Sequence, residues 1–487
     1  MTTVRPLGLY DKYALAMHGL GKAPAVVFSA LVPTCSAPLD AAVLLDTIAA
    51  LVDREAHLRS SVADARTTEP KFRLNDSVDP NEVLVVVPEL AHSAEKALLD
   101  AMEVLVGLDI EQAPLWRVWI YAEDASTKLR RVVLGIHHIL ADGTGAKHLF
   151  AEFLALIRSN QNNRHPLEPR NASIPPTLEG TVDLRPSLST LLRTGFAEFV
   201  VPKLPLSLQP RSVPPWPNPA VVSPASRPTA VKLLFLPSDV SSSLAIAAKA
   251  HDKVKTLHPV LVVAALSSIA NAVLSSASDP SRSLDIKSQT PVSLRSPSLG
   301  HPLWTGNFVS TVPHLVPSIT RSYLASTPFW ALAREFADHL RSPSERQLAR
   351  EAIGMLSYVP TGDASVPLGQ GEPTSWERWL DARMRGDAHP WKSGSFELSN
   401  VGRIESTERG VTEVCWSQPG SASGNGLQFN AVSYGGTLSV SLTWRRDAID
   451  EGVVDEIWSL FETTLRKIGR GEVVDGTTLA QLGRESV

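Results

Sequence analysis

The sequence predicts an α/β or α+β protein built in two halves, and three observations carry that prediction. Strand-like and helix-like runs interleave on both sides of the chain's middle. Between those sides, the stretch from Pro166 to Pro228 holds 14 prolines, with a knot at Pro214, Pro215, Pro217 and Pro219. The 487 residues are 43% apolar and 20% charged, ordinary globular usage that excludes global disorder. That length suits about two to four domains and a core large enough to need no staples.

Taken in order, Leu39 to Arg54 reads as a helix entered through Pro38. Val83 to Val87 is a β-branched run, and Ser93 to Leu105 is helical again. Leu115 to Tyr121 and Leu129 to His138 are strand-like. A helix follows Gly143, with Ala146, Leu149, Phe150, Phe153, Leu154 and Ile157 at the spacing of one buried face. Each proline removes a backbone donor and restricts the residue before it, so 166–228 cannot be regular throughout, although Leu188 to Val201 has room for a short helix. We therefore place one half at 1–175, a crossover at 176–229 and the other half at 230–487. In the second half Pro259 to Leu274 is apolar nearly all round, which marks a central helix with Pro259 in its first turn. Thr361 to Ser395, rich in Gly, Pro and Asp and carrying Trp376, Trp379 and Trp391, reads as a long loop. Leu427 to Trp444 holds two strands broken at Gly435-Gly436.

The formal charge of −4 and pI near 6.4 argue against a nucleic-acid binder held by a basic face. Cys35 and Cys415 are too few for a disulfide framework or a structural zinc site, which fits a reducing compartment. No uninterrupted apolar run reaches the length of a membrane span, and no signal-peptide pattern opens the chain. A soluble, cytoplasmic protein is the expectation.

The chemistry is expected where the strand 129–138 ends, in His137-His138-Ile139-Leu140-Ala141-Asp142-Gly143. Successive strand residues face opposite sides, so His138 shares a face with Val132, Leu134 and Ile136, while His137 joins Val133 and Gly135. The two imidazoles diverge, which disfavours one metal ion held by both. A histidine emerging from a buried strand suits proton acceptance near neutral pH. Asp142 has two readings, folding back toward a histidine or capping the next helix. Plainer readings stand beside these: a satisfied structural histidine, a simple cap, and a solvated His148. Gly143-Thr144-Gly145-Ala146-Lys147 has neither Walker nor dinucleotide spacing, and no Gly-x-Ser-x-Gly elbow occurs.

The segment resembles the His-His-x-x-x-Asp-Gly signature of the CoA-dependent acyltransferase superfamily. That group includes chloramphenicol acetyltransferase, plant BAHD acyltransferases, peptide-synthetase condensation domains and fungal alcohol O-acetyltransferases. Further matches fall in family order. They are His57-Leu58-Arg59, Ala113-Pro114-Leu115-Trp116-Arg117, Pro291-Val292-Ser293-Leu294-Arg295 with Gly306-Asn307-Phe308, and Ser399-Asn400-Val401-Gly402. The set spans most of the chain from about residue 6 to 465. The plant Asp-Phe-Gly-Trp-Gly signature is absent, and the lead Arg5 to Asp11 looks most similar to fungal alcohol O-acetyltransferases.

The resemblance implies two chloramphenicol-acetyltransferase-like domains, each a mixed sheet flanked by helices, in a V around a central tunnel. It implies His138 as general base and Asp142 as a mostly structural partner of Arg295, with His137 and Gly143 in support. Asn307, Ser399 and Asn400 become candidates for lining the tunnel and meeting the oxyanion. Arg295 has the plainer reading of a surface charge, and Ser399-Asn400-Val401-Gly402 that of a turn. Lys253 and Lys255, with Lys249, precede the central helix and are candidates for CoA phosphates, or else a solvated face. The implied activity is transfer of an acetyl or other short acyl group from acyl-CoA, as co-substrate, to a hydroxyl of a small, fairly apolar acceptor. No metal is expected, and the expected enzyme is a monomer serving secondary metabolism. The alternative is a CoA-independent condensation, dehydration or cyclisation in the same tunnel.

Overall fold

The computed structural model describes residues 4–22, 24–34, 39–91, 93–112, 114–161, 173–205, 216–217, 229–295, 305–362, 371–385, 394–405, 410–420, 424–446 and 448–483. Cys35, Pro38, Ala113, Trp391 and the knot at Pro214, Pro215 and Pro219 lie outside the described residues.

The first lobe rests on a five-stranded sheet ordered β12-β2-β7-β6-β5. Its strands are β2 (Ala25–Pro33), β5 (Leu84–Val86), β6 (Trp116–Asp124), β7 (Leu129–His137) and β12 (Thr412–Ser417). The predicted run 129–138 is thus the central β7, antiparallel to β2 from Ala25 opposite His137 to Pro33 opposite Leu129. Its alternation puts Val132, Leu134 and Ile136 in one core with Phe28 and residues of two helices. These are α2 (Ala41–Arg54), which contributes Leu44, Ile48 and Leu51, and α5 (Gly143–Gln161), which contributes Phe150 and Phe153. Each such side chain adds about 1.5–3 kcal/mol by leaving water.

The other face of β7 packs Val133 beside Trp119 against Leu98 and Leu105 of α4 (Ala94–Val106). Gly135 lies there because a Cβ would stand 2.7 Å from Leu105 Cδ1 and 2.9 Å from Trp119. The β-branched run at 83–87 splits into a helical turn, α3 (Pro80–Val83), capped by Asp79, and the short β5. A small sheet of β1 (Val4–Pro6), β4 (Lys71–Leu74) and β3 (Ser60–Ala63) adds Phe72 and Val62 to the first core.

The second lobe carries six strands ordered β10-β9-β11-β13-β14-β8. They are β8 (Thr229–Leu236), β9 (Leu284–Ser293), β10 (Val309–Ile319), β11 (Gly394–Arg403), β13 (Asn425–Tyr434) and β14 (Thr437–Arg445). Two parallel pairings, β9 with β11 and β11 with β13, make the sheet mixed. The predicted pair of strands at 427–444 is the antiparallel β13–β14 hairpin, turning at Gly435-Gly436. Phe396, Leu398, Leu427 and Phe429 pack against α8 (Leu257–Ser275) and α13 (Glu451–Gly469). Among the described residues α8 alone is long and apolar enough to cross a membrane, and 83% of that window is buried in the protein.

Two features depart from the reading by numbers. β12, from beyond residue 229, pairs with β2 of the first sheet, so the second half of the chain completes the first lobe. Trp416 stacks on Phe28 at 5.7 Å while its indole N–H donates to Ala431 O of β13 at 2.9 Å, bonding the two lobes. The stretch 361–395, read as a loop, contains the helix α12 (Ser375–Arg385) with Trp376 and Trp379 on it. Its start is a reciprocal cap: Thr374 Oγ1 accepts from Glu377 N and Glu377 Oε2 accepts from Thr374 N. In the crossover, α6 (Leu188–Gly195) continues as tighter and looser turns to Lys203, matching the short helix expected at 188–201. Leu178 and Leu184 of the crossover pack on Phe308, and Trp216 N donates to Asp285 O of β9.

Candidate active site

β7 ends at His137, and the chain turns through His138 to Ala141 before α5 begins at Gly143. That turn is pinned from the second lobe. Gly306 N donates to Leu140 O at 2.5 Å, and Asp142 N donates to Gly306 O at 3.3 Å. Gly306 has φ +90°, and a Cβ would come within 2.9 Å of the Phe308 ring, so the bridge requires a glycine.

Asp142 fulfils one of its two readings and adds a partner. Its Oδ1 accepts from Gly145 N at 2.9 Å, the helix cap. Arg295 binds it in a fork, Nη1 to Oδ2 at 2.8 Å and Nη2 to Oδ1 at 2.9 Å, and Phe308 N also donates to Oδ2. Burial pushes the Asp142 carboxyl up, but the Arg295 charge and these hydrogen bonds outweigh it and hold the pKa below its ordinary value. Arg295 is accordingly no surface charge: it follows β9 and lies against the Phe308 ring.

The hydrogen bond to the His138 ring comes from another residue. Asn307 Oδ1 lies 3.1 Å from His138 Nδ1, and Asn307 Nδ2 donates to Ile139 O at 3.1 Å and Asp11 Oδ1 at 3.3 Å. Two acceptors at Nδ2 assign the amide orientation, so Oδ1 accepts from His138 Nδ1–H and the lone pair sits on Nε2. Both amide hydrogens of Asn307 are then engaged. This corrects its reading as an oxyanion donor, because it orients the His138 ring instead. Asp11 is itself held by Arg5 Nη1 at 3.1 Å and by Gly8 N at 3.0 Å at the start of α1 (Leu9–Gly19). The ring of His138 is fixed through this line, and Asp142 fixes the turn that carries it.

Burial lowers the His138 pKa, only partly offset by a hydrogen bond to its own backbone, the Asp142 charge and Asn307. The imidazole is therefore neutral at neutral pH. His137 points elsewhere, as the alternation required. Its Nδ1 accepts from Ile139 N at 3.2 Å, so Nε2–H faces His18 Nδ1 at 3.2 Å on α1. Burial, with His18 and His138 nearby, lowers its pKa well below the ordinary value.

α1 supplies groups that the sequence reading did not single out. The Tyr10 ring lies 5.7 Å from His138 and 5.8 Å from Tyr13, and burial raises both phenols, so both remain O–H donors. The available signal was their i, i+3 spacing on a helix that Gly8 and Asp11 cap.

The remaining candidates are dispersed. Ser399 is buried on β11, and Asn400 Oδ1 accepts from Gly402 N where the β11–β13 register shifts, so this segment is a bulged strand and not a free turn. Lys253 is exposed and pairs with Asp338 at 3.4 Å, while Lys255 is exposed two residues on. His57 is buried, with Nδ1 2.8 Å from Ser60 Oγ and its ring edge-on to Phe72; it supports the small sheet. His148 is half-buried on α5. A cavity of about 290 Å³ opens along the Lys12–Leu15–Ala16 side of α1, under Trp376 and Arg378, and His138 is not among its lining residues.

No family model and no curated protein matches the chain. Solved structures do. The trichothecene 15-O-acetyltransferase from Fusarium sporotrichioides matches with TM-score 0.67 at 10% identity, covering 96% of this chain and 95% of that one. The epimerization domain from the third module of tyrocidine synthetase B matches with TM-score 0.60 at 14% identity, covering 99% and 98%. Polyketide synthase associated protein 5 from Mycobacterium tuberculosis matches with TM-score 0.60 at 14% identity, covering 96% and 100%. At these identities the likeness establishes the fold alone, the two-lobed one that these structures share.

Proposed function

We propose that this two-lobed protein is an acyltransferase that moves an acetyl or other short acyl group from acyl-CoA to a hydroxyl of a small acceptor, with His138 as general base. The observation that carries the reading is the neutral His138 ring between the lobes, its Nδ1–H held by Asn307 and its Nε2 lone pair available. Nε2 takes the hydroxyl proton as the oxygen attacks the thioester carbonyl. When the tetrahedral intermediate collapses, the C–S bond breaks and the departing thiolate takes that proton. A positioned base contributes about 10²–10⁴-fold, and holding two substrates at attack distance supplies more. The oxyanion donor in this reading is the Tyr10 phenol beside His138, since Asn307 is engaged.

The Fusarium neighbour is an O-acetyltransferase, which supports an acetyl donor, and the sequence resemblance of the lead Arg5 to Asp11 to fungal alcohol O-acetyltransferases supports a role in secondary metabolism. Lys253 and Lys255 are the proposed contacts for CoA phosphates, in a monomeric cytoplasmic enzyme. The direct experiment incubates the protein with acetyl-CoA and a panel of alcohols and follows free CoA. Absence of His138-dependent release with any acyl-CoA sinks the proposal. The second reading, a condensation, dehydration or cyclisation without CoA, is favoured by neighbours that include a peptide-synthetase cyclization-docking bidomain. Calorimetry separates the two, because only the first requires CoA binding.

A further inference from the structure

β11 and β13 turn two different faces to their surroundings. Phe396 and Leu398, with Leu427, Phe429 and Ala431, enter the helical core of the second lobe. The alternate residues face the first lobe, as Val401, Val432 and Tyr434 show by joining the first lobe's core. Val401 meets the active-site turn directly, since a Cβ on Gly143 would lie 3.2 Å from its Cγ1. Moving back along that face from Val401, the side chains become polar: Ser399 opposite Asn430, then Glu397 opposite Gln428 and Gln289. Each two-residue step is roughly 6.5–7 Å, so this polar row leads away from the turn on its own side of the lobe junction.

The row is organised around Glu397. Gln418 Nε2 donates to Glu397 Oε1 at 2.9 Å and to Asn430 Oδ1 at 3.0 Å, and Asn425 Nδ2 reaches Glu397 Oε2 at 3.3 Å. Acceptors are left over. Gln428 is 8% exposed and Asn425 3% exposed, and Gln428 Oε1 and Asn425 Oδ1 are buried with no hydrogen-bond partner among the described residues. A buried acceptor without a donor is uncommon and calls for a ligand or a water. Burial pushes the Glu397 carboxyl up to about 7. Burial first, and the Glu397 charge after it, raise the Tyr10 and Tyr13 phenols. Tyr10 lies beside His138, and Tyr13 beside Tyr10.

We infer that the Glu397–Gln428 row is a recognition subsite for a second hydroxyl on the acceptor, so that the acceptor is a polyoxygenated molecule and not a hydrocarbon alcohol. This rests on the acyl-transfer reading and revises its expectation of a fairly apolar acceptor. An apolar chain laid along this row would leave its acceptors unpaired, whereas an O–H at the right distance from the reacting hydroxyl satisfies one. Sites built to hydrogen-bond a hydroxyl discriminate strongly against analogues that lack it.

The test compares straight-chain alcohols with α,ω-diols of the same length, from four to ten carbons, with acetyl-CoA as donor. Wild type is expected to prefer the diol by about tenfold or more in kcat/KM at one chain length. Gln428→Met and the isosteric Glu397→Gln are each expected to reduce that preference several-fold. Indifference to the second hydroxyl at every length, or a preference that survives both substitutions, overturns the subsite. If wild type releases no CoA with any alcohol, the transfer reading fails on its own. Calorimetry of the same ligands with wild type and Gln428→Met then decides the subsite: tighter diol binding lost in the variant supports it, and equal binding overturns it.

Discussion

Removing the Arg295 fork from Asp142 tests the framework of the site. The pair is buried, with side-chain exposures of 11% and 2%, and joined by hydrogen bonds of 2.8 and 2.9 Å. Arg295→Ala leaves the carboxylate with the Gly145 and Phe308 N–H groups alone. Breaking one side of a buried pair costs about 3–5 kcal/mol, because the remaining charge loses its compensation. Asp142→Asn keeps one acceptor oxygen, removes the charge and turns an NH2 toward the donors that met the other oxygen, and is expected to fall in the same range. Since each single variant already forfeits the pair, the double variant should cost much less than the sum, with a coupling near the top of the roughly 0.5–3 kcal/mol range for contacting residues. Turnover should drop too: the turn bearing His138 loses its anchor, and displacement of a catalytic group by about 1 Å can cost 10²-fold. Urea unfolding followed by tryptophan fluorescence measures the stability, and CoA release measures the rate. Single variants that each shift stability by less than about 0.5 kcal/mol, or that add without coupling, would refute a structural role for the pair.

His138→Ala should lower turnover by about 10²–10⁴ without loss of fold, read from CoA release and the melting temperature. Because burial depresses the His138 pKa, the base is neutral above that value and lost as pH falls through it. The acid limb of kcat/KM should therefore lie below about pH 6.5, and a limb above pH 7 would contradict the assignment. Tyr10→Phe should lower kcat by roughly 10²–10³ with little change in melting, and kinetics equal to wild type would remove Tyr10 as oxyanion donor. Trp416→Ala should cost about 3–5 kcal/mol, since it removes a buried indole and its bond between the lobes; a loss under 1 kcal/mol by urea unfolding would argue against that bond's importance.

Much of the site was legible because its pieces are local. A strand, a turn and a capped helix occupy consecutive residues, so the alternation of β7 separated His138 from His137, and Asp142 sat where a cap belongs. The Arg295 partner is 153 residues away and was reachable only through the family resemblance. The role of Asn307 was out of reach, since the direction of its amide depends on Asp11, 296 residues distant. α12 was missed although Thr374-x-x-Glu377 carried a capping-box signal, outvoted by the glycines and prolines around it. The polar row on β11 was half visible: Phe396-Glu397-Leu398-Ser399 alternates, but nothing local says which lobe the polar face meets. The identity of the strand beside β2 had no local signal either, since Thr412–Ser417 reads like any short strand.

That strand sets a schedule for synthesis. β2 is complete at Pro33, but the strand that covers its outer edge begins at Thr412, ~380 residues later. At about 5–20 residues per second a ribosome needs on the order of 20–80 s to deliver it. Throughout that interval the first lobe carries an open sheet edge of the kind that recruits other chains. The nascent chain thus passes through a prolonged state in which one edge of this sheet stays unpaired, and closure waits for β12.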